Sequence, residues 1–163
     1  MPSIDTLPTV SEAKSVIDNN YQRFLDRKYI DPMSLDIIGY AVANEVQLRD
    51  YLLGYTMESN DFMTAFEYLA YLAENVAENH RTPFNAVLAL YQYEVGLTAD
   101  AMASLEKCLV ADPTYSLALL VVRIIRAGWP SESVATMRDT LHPKILDAIK
   151  EIANNKIIAD TLA

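Results

Sequence analysis

The stretch Ala86–Pro130, AVLALYQYEVGLTADAMASLEKCLVADPTYSLALLVVRIIRAGWP, decides the fold, because it spells helix, turn, helix, turn, helix with readable punctuation. Gly96 suits the left-handed residue that closes a helix, and Thr98 suits the cap of the next. Ala101, Leu105 and Cys108 recur at helical spacing as an inner seam, and Asp112-Pro113 stops that helix. Thr114 opens a third helix, which Gly128 and Pro130 end. Its run LALLVVRII is β-branched enough to pass for a strand, but about 14 residues between cap and stop signals favour a helix. Apolar residues on nearly every side of it predict a central place in the core, with Arg123 and Arg126 reaching out past the packing or pairing with acids.

Working toward the N-terminus, Thr9 or Ser11 caps a helix to about Lys28, with Val16, Ile17, Tyr21, Phe24 and Leu25 as its buried stripe. Arg23, Arg27 and Lys28 cluster at its end, where solvated cations complement the helix dipole. Asp31-Pro32 restarts the chain as a cap followed by proline in the first turn, with Leu35, Ile38, Ala41 and Val42 facing inward. Asn44 marks either a bend or a break before Val46, Leu48, Tyr51, Leu52 and Tyr55. Thr56–Asn60 reads as a polar connection, and Ser59 as the cap of a long helix to Asn79 with Phe62, Phe66, Leu69, Ala73, Val76 and Ala77 inside. At 100° per residue, Glu67, Tyr71, Glu74 and Glu78 fall within about a sixth of a turn on its opposite side. Thr82-Pro83 begins the helix that Gly96 closes.

Toward the C-terminus, Ser131 and Pro143 begin two shorter amphipathic helices. The last carries Ile145, Leu146, Ile149 and Ile152 with Lys144, Lys150 and Lys156 around them. No parallel βαβ alternation and no series of short strands is present. The fold class is all-α: one domain over 1–163 of about eight or nine helices packed as antiparallel hairpins. Residues 1–46 supply the N-terminal helices, 47–130 the central segment and 131–163 the C-terminal helices.

Composition agrees with a helical domain. The 163 residues are 52% hydrophobic with only 4 Gly and 7 Pro, enough apolar surface for one sizeable core. The single cysteine, Cys108, allows no internal disulfide and reads as a small buried helix residue, which fits a reducing compartment. The first ten residues lack the basic start and apolar run of a secretory signal. The longest aliphatic run, Leu117–Val122, is far short of the about 20 residues needed to span a bilayer. A soluble, cytoplasmic protein without a membrane role is expected.

The net charge of −9 is localised. Residues 50–106 hold nine acids and one base, Arg81, whereas 107–163 hold six acids and seven bases. An acidic surface repels phosphate, so direct nucleic-acid binding is not expected.

Two resemblances follow from these motifs. Pro83–Pro113, with Gly96, Ala101, Leu105, Cys108 and Asp112-Pro113, resembles one tetratricopeptide unit, whose period is about 34 residues. One period on, Ala101 lands on Ala135, but the glycine and proline positions do not follow, so one unit and no array is expected. Over a longer span, Arg49-Asp50-Tyr51-Leu52-Leu53, Ala89, Tyr93, Gly96, Ala101, Leu105, Asp112-Pro113-Thr114-Tyr115, Leu117-Ala118 and Gly128-Trp129-Pro130 form an ordered series. It resembles the C-terminal helical half of domain-of-unknown-function family 4192, a family of actinobacteria and some of their phages. Tyr93 stands where the family usually has tryptophan, and Gly96-Leu97-Thr98 where it has a glycine-rich turn. The resemblance implies a helical fold and an actinobacterial or phage source, and it carries no assigned activity.

Chemistry-bearing motifs are sparse. His80 and His142 each lie beside an expected helix boundary, without a His or Cys at metal-ligand spacing. Glu-x-x-His pairs, Gly-x-Ser-x-Gly and the phosphate-cradling Gly-x-x-x-x-Gly-Lys are absent. No catalytic residue, metal site or cofactor is expected, and the chain reads as a non-enzyme. Among 10 tyrosines, most are expected to bury the ring with the hydroxyl at the edge. Tyr71 with Glu67, Glu74 and Glu78 is the candidate contact for a protein partner with a basic surface. Self-association through the tyrosine-rich helices is the alternative to a foreign partner. The same acidic stripe also suits a mimic of nucleic-acid phosphate that blocks a DNA- or RNA-binding protein. An enzyme or small-ligand binder would instead need a deep pocket with convergent polar groups.

Overall fold

A computed structural model describes the backbone of residues 7–162 and the side chains of residues 7–153. Among the described residues the chain forms nine α-helices, one 3-10 turn and no strand. The helices are α1 (Val10–Leu25), α2 (Pro32–Asn44), α3 (Val46–Leu53), α4 (Tyr55–Ser59), α5 (Phe62–Asn75), α6 (Arg81–Glu94), α7 (Thr98–Ala111), α8 (Ser116–Ala127) and α9 (Ser131–Leu162). The 3-10 turn, Glu78–His80, joins α5 to α6.

Local chemistry explains most of the helix ends. Thr9 and Glu12 form a reciprocal capping box at α1, each side chain bonded to the other's backbone N–H at 3.1 Å. Asp31 caps α2 by accepting from the Ser34 N–H at 2.9 Å, with Pro32 in the first turn. Gly96 (φ 85°) and Gly128 (φ 66°) end α6 and α8 in the left-handed region. Each end carries paired six-to-one and five-to-two bonds, Leu97 N–H to Gln92 O with Gly96 N–H to Tyr93 O, and Trp129 N–H to Ile124 O with Gly128 N–H to Ile125 O. Arg27 (φ 55°) closes α1 in the same way without a glycine, and the Arg23 guanidinium fastens the turn by donating to Tyr29 O at 2.6 Å.

Several boundaries differ from the sequence expectation. α1 stops at Leu25 rather than Lys28, and Leu25 itself is exposed. The chain breaks at Glu45 into two helices, and Thr56–Ser59 belongs to α4 rather than to a connection. α5 is capped by Asp61, which accepts from Met63 N–H at 3.1 Å, and ends at Asn75 rather than Asn79. Ser59 instead bridges the preceding turn, accepting from Asp61 N–H at 3.2 Å. Thr98 is the first residue of α7 and not its cap, and α8 begins at Ser116, since Asp112 engages Thr114 in a turn of its own. The two expected C-terminal helices are one, because α9 runs through Pro143. Proline removes one backbone donor. The neighbouring Asp139 and Pro143 face water, while Val134, Arg138, His142 and Ile149 bury a seam on both sides of the proline and hold the helix together. Lys156 lies outside the described side chains.

α6 and α7 form the most extensively packed pair. Ser104 Oγ donates to Gln92 Oε1 at 2.7 Å near their turn, and Cys108 Sγ donates to Thr82 O at 3.3 Å at the far end, so the two run antiparallel. Ala101, Leu105 and Cys108 are buried in that seam as their spacing implied. One contiguous buried cluster draws residues from all nine helices. α8 is not central: Leu117, Ala118, Val121, Val122 and Ile124 are buried, but Leu119 and Leu120 are exposed, as are Arg123 and Arg126.

Candidate functional site

α5 presents the side chains singled out by charge. Glu67 and Glu74 are exposed on it, two turns apart, and neither has an ion-pair partner among the described residues. Tyr71 lies between them but is only half-exposed, its ring 5.6 Å from that of Phe24 on α1. Tyr71 therefore packs with Phe24 against the core rather than standing clear of it. Glu78 is exposed but off the helix, in the 3-10 turn, so the 100° step that aligned it with the other three does not apply. Ala77, expected inside, is exposed beside it. Arg81 does not neutralise these acids. Its Nη2 donates to Glu74 O at 2.9 Å and its Nε to Val76 O at 3.0 Å, so its hydrogen bonds go to backbone carbonyls and not to the carboxylates.

Behind this face the tyrosines form a network that locks α1 to α3, α4 and α5. Tyr51 and Tyr55 both donate to Asp18 Oδ1, at 2.7 and 3.0 Å, and Lys14 holds Asp18 Oδ2 at 2.9 Å. Tyr68 donates to the carbonyl of Ile17 at 2.8 Å. Burial raises the pKa of all three phenols well above the ordinary value, with the Asp18 charge adding to the rise. A phenol kept protonated donates a hydrogen bond and does not act as a base, so this cluster stabilises and holds position. Cys108 behaves likewise, since burial pushes its thiol up to about 12 and removes the thiolate needed for reactivity.

Two further pairs anchor α9. The Arg138 guanidinium is buried and donates to both Glu94 oxygens at 2.6 Å, to Thr56 Oγ1 at 2.9 Å and to Leu53 O at 3.3 Å, while lying over the Tyr91 ring. Burial raises the Glu94 pKa even though the Arg138 bonds pull it down. His142 is equally buried, in the body of α9 and not beside a helix end. Its Nε2 lies 2.7 Å from Glu58 Oε1, and its ring stacks on Tyr51 at 5.6 Å. Gly54 passes so close that a Cβ there would overlap the imidazole. His80, by contrast, does sit at a boundary, ahead of α6.

Two hollows adjoin these anchors. An open depression of about 530 Å³, lined by Ser11, Lys14, Glu58 and Lys150 among others, separates α1 and α4 from α9 and has mixed charge. A more enclosed apolar groove of about 200 Å³ runs between α8 and α9. No set of three His, Cys, Asp or Glu side chains among the described residues converges to hold a metal. No helix is long and apolar enough to cross a membrane among those residues.

Sequence reasoning located Glu67, Tyr71 and Glu74 on one helix. It missed the partners of Asp18, Glu58, Glu94, Arg138 and His142. Asp18 meets tyrosines 33 and 37 residues away, Glu94 meets Arg138 across 44, and Glu58 meets His142 across 84. No periodicity links residues at such separations.

A family model described as "Domain of unknown function (DUF4192)" matches residues 13–132. The match takes in α1 and α2 as well as the segment 47–130 on which the resemblance rested. No curated protein and no solved structure matches the chain.

Proposed function

The chain belongs to the DUF4192 family, and we propose that it is a non-enzymatic, cytoplasmic interaction module whose α5 face docks a protein partner with a basic surface. One observation carries this reading: among the described residues Glu67 and Glu74 stand exposed and unpaired, and Arg81, the base nearest to them along the chain, is occupied by backbone carbonyls. Uncompensated carboxylates on a rigid helix steer a cationic partner and fix its register. Tyr71 adds amphipathic area that is already held by Phe24, so little side-chain freedom is lost when a partner covers it. The Tyr51, Tyr55 and Tyr68 phenols behind α5 support a scaffold role, since burial keeps them protonated as hydrogen-bond donors.

The test is affinity capture from extracts of the source organism, comparing the wild-type chain with the combined Glu67→Lys and Glu74→Lys variant at low and raised salt. Both residues are exposed, so stability should change by no more than about 0.5 kcal/mol. The expected result is a basic protein that is retained at low salt and lost from the variant. Equal recovery of the same protein by both chains would refute the assignment of this face.

A further inference from the structure

α8 and α9 both rest on α6 but barely touch each other. The groove between them is walled by Leu117, Leu120 and Ile124 on one side and by Met137, Leu141 and Ile145 on the other. Leu120 and Leu141, one on each wall, are each 42% exposed. Leu90 of α6 and Leu53 of α3 complete the lining, and the two walls leave an apolar channel of the kind that receives the apolar stripe of a further helix.

The charges around the channel narrow the occupant. Arg49 is paired with Asp50 at 2.7 Å and Arg138 with Glu94 at 2.6 Å, so neither lends net charge to the lining. Arg123 follows Leu120 by three residues and Lys144 follows Leu141 by three, which places each cation one turn along and about 60° aside from its leucine, flanking the groove outside its lining. Both are exposed, and neither has a carboxylate partner among the described residues. A second copy docking groove to groove about a twofold axis would bring these like charges together, which disfavours self-pairing here.

We propose that the groove between α8 and α9 binds an amphipathic helix of a partner protein whose apolar stripe is flanked by acidic side chains. Its leucines seat between Leu120 and Leu141, and its carboxylates meet Arg123 and Lys144. α5 forms no part of this groove, so the inference stands apart from the acidic-face reading.

The experiment titrates the full chain into a labelled helical peptide with leucines spaced i, i+3, i+4 and i+7 and glutamates at the flanking positions, read by fluorescence anisotropy. A peptide with lysines in place of the glutamates is the control. The glutamate peptide should bind in the micromolar range, and the lysine peptide several-fold more weakly. Leu120→Gln with Leu141→Gln should weaken binding on the order of ten-fold, with an unchanged circular dichroism spectrum because both side chains are already half in water. Arg123→Glu with Lys144→Glu should invert the preference between the two peptides. Equal binding of the two peptides, or binding of neither, overturns the proposal. A dimer in sedimentation that the double glutamine variant dissolves also overturns it, by assigning the groove to a second copy.

Discussion

Raising the pH should unfold this protein in a steep step set by four phenols. Tyr51, Tyr55, Tyr68 and Tyr91 are at most 1% exposed, and each hydroxyl donates to an internal acceptor, Asp18 for the first two, Ile17 O for Tyr68, and Leu52 O and Leu53 O for Tyr91. Burial is the main reason that all four pKa values lie above the ordinary 10. A folded-state pKa above the unfolded one means that the folded chain holds more protons above pH 10. The stabilisation is therefore fully present below pH 10 and lost as pH rises past it. Each retained proton changes stability by about 1.36 kcal/mol per pH unit, so four give roughly 5 kcal/mol per unit. Against a net stability of about 5–15 kcal/mol, the fold should fail about one to three units above pH 10. Phenolate absorbance and helical circular dichroism, followed together against pH, provide the assay. The buried four should ionise together in a steep phase that coincides with loss of helix. Tyr68→Phe should remove about a quarter of that slope, roughly 1.4 kcal/mol per pH unit. Ionisation of these four phenols with the helices retained would refute the network.

Two other perturbations probe the anchors of α9. Gly54→Ala would drive a methyl into the His142 ring, which Glu58 and Tyr51 hold in place, and should cost about 1–3 kcal/mol in chemical denaturation. An unchanged denaturation midpoint would show that the imidazole is not seated there. Arg138→Met strips Glu94 of its charge partner in a half-buried position and should cost about 3–5 kcal/mol, whereas adding Glu94→Gln should recover part of that loss. Additive losses in the double variant would contradict a coupled pair.

Helix ends were legible wherever the signal fits within a few residues. Gly96 and Gly128 close helices because their positive φ is free of the Cβ penalty, and Asp31-Pro32 opens one because its carboxylate reaches the N–H three residues on. The signal misled where local preference competes with packing. Pro143 reads as a start, yet the buried seam from Val134 to Ile149 outweighs one missing backbone bond. α8 reads as central because its residues are apolar all round, but no tenth element covers Leu119 and Leu120 among the described residues. Glu78 reads as part of the acidic stripe, but α5 ends at Asn75 before reaching it.

From the sequence alone came an all-helical chain, the order and approximate bounds of most helices, the antiparallel α6–α7 hairpin and an acidic face on α5. All of these depend on dihedral preferences and hydrogen bonds that act within about four residues, together with a 3.6-residue period that marks the apolar side. The tertiary structure alone decided that Asp18 gathers Tyr51 and Tyr55, that His142 is pinned between Glu58 and Gly54, and that α8 and α9 stand apart over α6. Those outcomes depend on which apolar face meets which, and one amphipathic stripe fits many others until shape, volume and buried polar partners are satisfied together.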